Sequence, residues 1–473
     1  MDTGTFAERA RALIARVARY LEDVERLPVR AQVAPGSITA ALPAAAPEEP
    51  DPFEEVLADF ERLVLPGLTH WQHPRFLAYF PANADPASIL GEILTAGLAV
   101  NAMLWQTSPA ATELESRVLA WLARGCGLPE GWFGVVQGTA SEATLCALLA
   151  ARERALDFRG NEDGLAGGPR LRVYASEEAH SSVEKGAMIA GYGRTGLAKI
   201  AIDERGAMRP ELLEQAIAAD RAAGIKPACV VATLGTTGIG GFDDLRAVGE
   251  ICRRHGLFLH VDAAWAGSAL LLPEWRHLAL GLEQVDSFVF NPHKWLGIQF
   301  DFSAHYLRDP ELLRRTLSVT PFYLTATGPE QVVDLRDYGI ALGRRFRALK
   351  AWFVLRLVGL RGLRSMLRRH IALARELASW IDAEPDFERV TGPNLALLTF
   401  RYRPASTRDE EVLDRLNQEL VETVNADGRT YLTPTRWRGR TVIRACIGQL
   451  RTERRHVEEG WQAVVELARR LAR

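Results

Sequence analysis

Apolar residues recur at helical spacing over residues 5–26, where Phe6, Ala10, Leu13, Ile14, Val17, Leu21 and Val24 fall on one face. Six prolines between Pro28 and Pro52 then exclude a long helix and predict an extended strap. An apolar helix on such a strap needs cover, either from its own body or from a second copy of the chain. From about residue 85 to 345 the pattern changes to short apolar runs at 132–138, 171–177, 228–235, 256–264 and 285–291. Helical patterns lie between them at 141–156, 182–190, 210–223 and 243–255. Strands that are apolar throughout predict an α/β fold with a mainly parallel central sheet flanked by helices. Functional groups then belong at the carboxyl ends of those strands. Beyond residue 346 a helix (346–383), a strand (395–403), a helix (409–427), a strand (441–448) and a last helix (453–471) predict a small α+β unit. The predicted organisation is an N-terminal helical segment and strap over 1–85, a large domain over 86–345 and a small C-terminal domain over 346–473. Residues 159–169 (RGNEDGLAGGP) read as a mobile surface loop.

Composition narrows the class. A formal net charge of -2 gives no electrostatic reason to bind nucleic acid or an anionic membrane. No apolar stretch is long enough to predict a membrane span, and the charged start does not read as a secretory signal. The five cysteines lack paired spacing, so no metal site is predicted and a reduced, cytoplasmic setting is expected. Only five of the 57 basic residues are lysines: Lys185, Lys199, Lys226, Lys294 and Lys350. A site that needs an amine nucleophile cannot accept guanidinium. Four of the five show no reason why Arg would not serve; Lys294 is the exception.

Lys294 stands in Asn291-Pro292-His293-Lys294-Trp295, directly after a predicted strand. A desolvated lysine there favours its neutral, nucleophilic form, although an isolated turn lysine is more often a surface residue. Asp262, in His260-Val261-Asp262-Ala263-Ala264, closes another strand. Its carboxylate suits a protonated ring nitrogen, with small Ala264 letting a flat ring approach; a plain capping role is the alternative. Gln137-Gly138-Thr139-Ala140-Ser141-Glu142 runs from a strand into a helix with Thr139 and Glu142 in capping-box spacing. Such a start is an anion site, and also an ordinary well-capped helix. His180 follows a fourth strand and suits stacking or acid–base work, against a structural role. Ala232-Thr233-Leu234-Gly235-Thr236-Thr237 ends a fifth. Together these provide an anion cradle, a stacking ring, a strand-end threonine, a carboxylate for a ring nitrogen and an imine-forming amine. That is the set of attachments of pyridoxal 5′-phosphate, PLP.

With HPRFLAYFP (73–81), WQTSPAATELE (105–115), QGTASEATL (137–145), YASEEAHSSVEK (174–185), HVDAAWAGSA (260–269), NPHKW (291–295) and LGRRFRALKAWFVLR (342–356), the chain closely resembles the group II PLP-dependent amino-acid decarboxylases. Within them it is similar to the aromatic-L-amino-acid decarboxylases. The resemblance implies the PLP-dependent transferase fold type I and a homodimer with active sites at the interface. It implies that Lys294 holds PLP covalently, Asp262 pairs with the pyridinium nitrogen, and His180 and Ala264 lie on opposite ring faces. Thr139, Ala140, Ser141, Asn291 and His293 would surround the phosphate, and Thr237 would lie near the phenolic oxygen. Tyr323, beside Gly328, matches the catalytic-loop tyrosine that returns a proton after CO2 leaves; relatives with Phe there make aldehydes. Trp71, Tyr79, Phe80, Pro81, Ala82 and the other subunit's residues 101–105, with Asn101 and Met103, would line the side-chain pocket. Gly343 at its wall leaves room for a bulky ring. Ala82, Asn101, Met103, Trp265 and the segment 338–341 depart from the animal-type pattern. The expected reaction converts an aromatic L-amino acid (tryptophan, tyrosine, phenylalanine or DOPA type) to its amine and CO2. The alternatives are oxidative aldehyde synthesis, or decarboxylation of histidine, glutamate or aspartate.

Overall fold

The computed structural model describes residues 1–319 and 332–471. The chain divides into two compact units, residues 82–371 and residues 1–81 with 372–473. The sequence reading separated three parts, and packing explains the difference. Phe346, Ala348 and Leu349 share a buried cluster with Ala102 and Ala111. Gly91 lies so close to the helix Ala348–Leu357 that a Cβ on it would meet Lys350 Cα at 2.6 Å. Residues 346–371 therefore belong with the large unit. The N-terminal segment instead joins the small unit, where Val29, Phe76 and Ala78 pack with Tyr431 and Cys446 N–H donates to the Leu77 carbonyl at 2.9 Å.

The large unit is built on seven strands: β1 (Phe133–Gln137), β2 (Leu171–Ser176), β3 (Leu197–Ile200), β4 (Lys226–Thr233), β5 (Phe258–Asp262), β6 (Ser287–Phe290) and β7 (Ser303–Leu307). Their order is β1-β7-β6-β5-β4-β2-β3. Strand β7 runs antiparallel to both neighbours, and β2 through β6 pair in parallel. Strand β1 is thus parallel to the main set, and the carboxyl ends of β1, β2, β4, β5 and β6 meet along one edge. That edge carries the candidate chemistry. Sequence reading located five of these strands and omitted β3 and β7. The first is a four-residue edge strand containing an exposed Lys199. The second, SAHYL, is a five-residue run with only three apolar positions.

The helix Ala140–Leu156 lies on the sheet through Ala143, Cys146, Ala147, Ala150 and Ala151, all buried. Side chains this small let a helix approach a sheet closely, which brings its first turn to the edge just described. Residues 159–169 do not form a simple loop. Arg159–Asp163 is a turn of helix held by the Arg159–Asp163 ion pair, and Asn161 N–H donates to buried Glu153 at 3.0 Å.

The small unit has four antiparallel strands, β8 (Phe387–Asn394), β9 (Leu397–Tyr402), β10 (Thr433–Trp437) and β11 (Arg440–Cys446), in the order β10-β11-β9-β8. The predicted N-terminal helix is Thr3–Asp23, and it buries none of its side chains. Phe6 is 62% exposed and Ile14 46%, so the described residues leave much of that face uncovered. The proline strap contains a short helix, Ser37–Ala41. Among the described residues no helix is long and apolar enough to cross a membrane.

Candidate active site

The helix start after β1 is fixed by reciprocal caps. Thr139 Oγ1 accepts from Glu142 N–H at 3.4 Å, and Glu142 Oε2 accepts from Gly138 N–H at 2.8 Å. The carboxylate therefore reaches one residue further back than in a standard capping box. Ala140 is buried, whereas Ser141 is exposed at the rim. Gly138 leaves little room for a side chain. A Cβ there would stand 3.0 Å from both Asp301 Oδ2 and Glu142 Oε2. Asp301 is in turn held by Arg347 through two 3.1 Å hydrogen bonds.

Strands β5 and β6 bring the other groups to the same place. Asp262 is buried, and its Oδ1 accepts from Ala264 N–H at 3.0 Å. Its Oδ2 takes no hydrogen bond from the described residues. The capping alternative thus accounts for one oxygen. Asn291 N–H donates to the Ala264 carbonyl at 2.8 Å, and Ala264 packs on a cluster of Ala140, Ala143 and Val289. Asn291 Oδ1 accepts from Ser303 Oγ at 2.6 Å, and Ser303 pairs in register with Gln137 at the end of β1. These links join the Asp262 turn, the Asn291 turn and the Thr139 helix start. Lys294 lies in the single helical turn Pro292–Trp295, half-buried. Its carbonyl accepts from Asn83 Nδ2 at 2.9 Å.

His180 caps the helix Ser181–Ile189 with its ring. Nδ1 accepts from Ser182 N–H at 3.2 Å and lies 2.8 Å from Ser182 Oγ. Accepting from a backbone donor leaves the neutral ring's proton on Nε2. Loss of solvent lowers its pKa, the Asp262 carboxylate opposes that shift, and Lys294 adds to it. His180, Asp262 and Lys294 therefore share one electrostatic environment. Thr237 lies exposed in the turn after β4. Buried Asp243 holds that turn, accepting from Thr233 N–H at 2.7 Å and Met208 N–H at 2.6 Å. Burial pushes its carboxyl up to about 6.

His293 Nδ1 accepts from Phe302 N–H at 3.0 Å. Burial first, and the Lys294 charge second, lower its pKa to about 3. Burial alone does the same to His305. An unfolded chain protonates both below their ordinary value of about 6.5 while the folded chain does not, so acid favours unfolding. Each group is expected to remove about 1.4 kcal/mol of stability per pH unit as pH falls below about 6.5. Urea unfolding of the PLP-free protein between pH 7 and 5 measures this. A midpoint that does not fall on acidification would count against both residues being buried and neutral.

The predicted pocket residues form two groups. In the small unit Trp71 stacks on Tyr79 at 5.8 Å and 20°, and Arg444 lies over the Phe80 ring at 4.4 Å while donating to the Tyr79 carbonyl at 2.5 Å. Pro81 is buried. In the large unit Asn101 Oδ1 accepts from Arg344 N–H at 3.0 Å and Asn101 Nδ2 lies 3.6 Å from Met103 Sδ. A Cβ on Gly343 would come no nearer than 3.9 Å to Asn101 Nδ2. Ala82 is half-buried. Trp265 is a core residue, fully buried and stacked on Trp295 at 4.7 Å. Tyr323 and Gly328 lie outside the described residues.

Sequence reasoning missed Ser303, Asp301, Arg347 and Asp243. It also passed over Lys350, which is fully buried, with Nζ 2.9 Å from Gln299 Oε1 and 3.2 Å from Glu92 Oε2. Asking why Lys350 is not Arg was the available signal, since a buried compact ammonium leaves no room for guanidinium.

Five strand ends thus converge on a helix N-terminus, a dry carboxylate with one uncommitted oxygen, an imidazole and a half-buried amine. That donor set fits PLP, and the fold and site define a fold type I PLP enzyme. The comparisons agree. The pyridoxal-dependent decarboxylase conserved domain matches residues 35–403. Phenylacetaldehyde synthase of Arabidopsis thaliana is 41% identical, covering 99% of this chain and 96% of that protein. Aromatic-L-amino-acid decarboxylase of Sus scrofa is 40% identical, covering 100% and 98%. The crystal structure of Oryza sativa TDC with PLP and tryptamine superposes with a TM-score of 0.97 at 35% identity, covering 100% and 99%. The chain belongs to the pyridoxal-dependent decarboxylases, within the aromatic-L-amino-acid decarboxylase family, and is a PLP-dependent amino-acid decarboxylase.

Proposed function

We propose that the protein converts an aromatic L-amino acid to its amine and CO2, with Lys294, Asp262, His180 and Tyr323 as catalytic residues. The observation that carries the substrate reading is the likeness, over nearly the whole chain, to aromatic-L-amino-acid decarboxylase of Sus scrofa. When bound, PLP supplies a sink for the electron pair released as CO2 leaves. Asp262 holds a proton on the ring nitrogen. Thr139, Ala140, Ser141, Asn291 and His293 hold the phosphate end, with Thr237 near the phenolic oxygen. His180 stacks on one ring face, Ala264 takes the other, and Lys294 offers the amine. Within the large unit Ala82, Asn101, Met103 and Gly343 are assigned to the substrate side chain, and the family resemblance assigns Trp71, Tyr79, Phe80 and Pro81 the same task. The uncovered face of the N-terminal helix, with Phe6, Leu13, Ile14 and Val17 exposed, supports a homodimer whose second copy covers it and completes the pocket. The five cysteines are buried, consistent with a reducing, cytoplasmic setting.

The likeness to phenylacetaldehyde synthase supports a second reading, in which O2 and water are consumed and aldehyde, CO2, ammonia and peroxide are released. Incubating the holoenzyme with each amino acid while measuring CO2, amine, ammonia and peroxide separates the readings. We expect CO2 and amine in equal amounts with aromatic substrates. Turnover confined to glutamate, aspartate or histidine would overturn the substrate assignment, and peroxide equal to CO2 the reaction assignment.

A further inference from the structure

Beneath the candidate site lies a buried polar chain that the proposed chemistry leaves unused. Thr144 Oγ1 is 3.2 Å from His260 Nε2, His260 Nδ1 is 2.9 Å from Ser287 Oγ, and Ser287 Oγ is 2.8 Å from His305 Nε2. All four residues are fully buried. His305 Nδ1 has no hydrogen-bond partner among the described residues. Both imidazoles stay neutral, because burial holds their pKa values down. Each ring therefore carries one proton, and the end of the chain decides where.

If His305 carried its proton on Nδ1, that N–H would be a buried donor without an acceptor, the costlier orphan. Its proton belongs on Nε2, donating to Ser287 Oγ. The Ser287 hydroxyl then donates to His260 Nδ1, and His260 Nε2–H donates to Thr144 Oγ1. The chain is polarised in one direction and ends on the helix that Thr139 caps.

The location gives this chain its use. His260 and Asp262 lie two residues apart on β5, so they share one face of the sheet. Thr144 lies one turn beyond Ala140, on the helix whose first turn packs with Ala264. The His260–Thr144 bond ties the helix start to the strand that ends in Asp262. The PLP ring is rigid and its phosphate hangs on a short CH2–O arm, so phosphate and ring nitrogen can separate only over a narrow range. A protein that grips both ends needs its two anchors held at matching separation.

We infer that His260 is a positioning residue that sets the spacing between the phosphate-binding helix start and Asp262 through its hydrogen bond to Thr144. This rests on the reading of Thr139–Ser141 and Asp262 as the two PLP anchors. A residue that only stabilised the fold would not distinguish whether both anchors are in use.

The test is a double-mutant cycle on the PLP dissociation constant of the full chain. Thr144→Val, nearly isosteric, is expected to weaken PLP binding about tenfold, about 1.4 kcal/mol. Thr144→Ser, which keeps the hydroxyl, is expected to stay within about twofold of the parent. With Asp262→Asn the ring anchor is lost, and adding Thr144→Val is then expected to change binding by less than about twofold. Equal tenfold losses in both backgrounds, or no loss from Thr144→Val alone, would overturn the inference. Unchanged PLP binding by Asp262→Asn alone would overturn the anchor assignment beneath it. Should Thr144→Val not fold, Ser287→Ala perturbs the same ring from its other nitrogen, with the same outcomes expected.

Discussion

Lys294→Ala is expected to lose covalently held PLP and to reduce turnover on the order of 10³-fold or more, as removal of a nucleophile does in other covalent enzymes. The reason is positional. Lys294 lies half-buried in the turn after β6, in the same electrostatic environment as His180 and Asp262. The other lysines do not replace it. Lys350 is committed to Gln299 and Glu92 in a fully buried position, and Lys199 is exposed on the edge strand β3 and paired with Glu184. Visible absorbance of the purified variant and the rate of CO2 release measure both parts. Parental turnover in the alanine variant would remove Lys294 from its assigned role.

Tyr323→Phe is expected to reduce amine formation by about 10²- to 10⁴-fold, the usual range for losing a general acid, and to shift the products toward aldehyde. The phenol is assigned the proton that returns to the substrate α-carbon once CO2 has left. Without it that carbon stays exposed to O2, and CO2, ammonia and peroxide then appear together. The assignment comes from the match of residues 318–334 to the catalytic loop of the family. Product ratios measured under air and under argon test it. An unchanged amine-to-aldehyde ratio in air would remove Tyr323 from that role.

Much of the large unit was legible in the sequence because β2, β4, β5 and β6 lie in mostly apolar runs, as strands covered on both faces do. The chemistry was legible for a related reason. Lys294, Asp262, His180, Thr139 and Thr237 all follow strand ends, and in a parallel sheet those ends coincide. Interactions between segments distant in the chain were not legible. Ser303 reaches Asn291 only because β7 runs antiparallel between β1 and β6, and that strand has too short an apolar run to stand out. Arg347 and Asp301 meet beside Gly138 from segments 46 positions apart. The unit boundary was misplaced because hydrophobic patterning marks residues 346–371 as helical without saying what they pack against. Trp265 looked like a pocket substitution in sequence, yet its ring lies in the core against Trp295.

The central claim is that PLP is held by Lys294 at the carboxyl edge of the large sheet. Borohydride reduction of the holoenzyme, followed by peptide mapping, tests it most directly. The account predicts one pyridoxyl group per chain, on the lysine of the NPHKW segment. A modified Lys185, Lys199, Lys226 or Lys350 with Lys294 unmodified, or a PLP-saturated protein with no modified lysine, would contradict it.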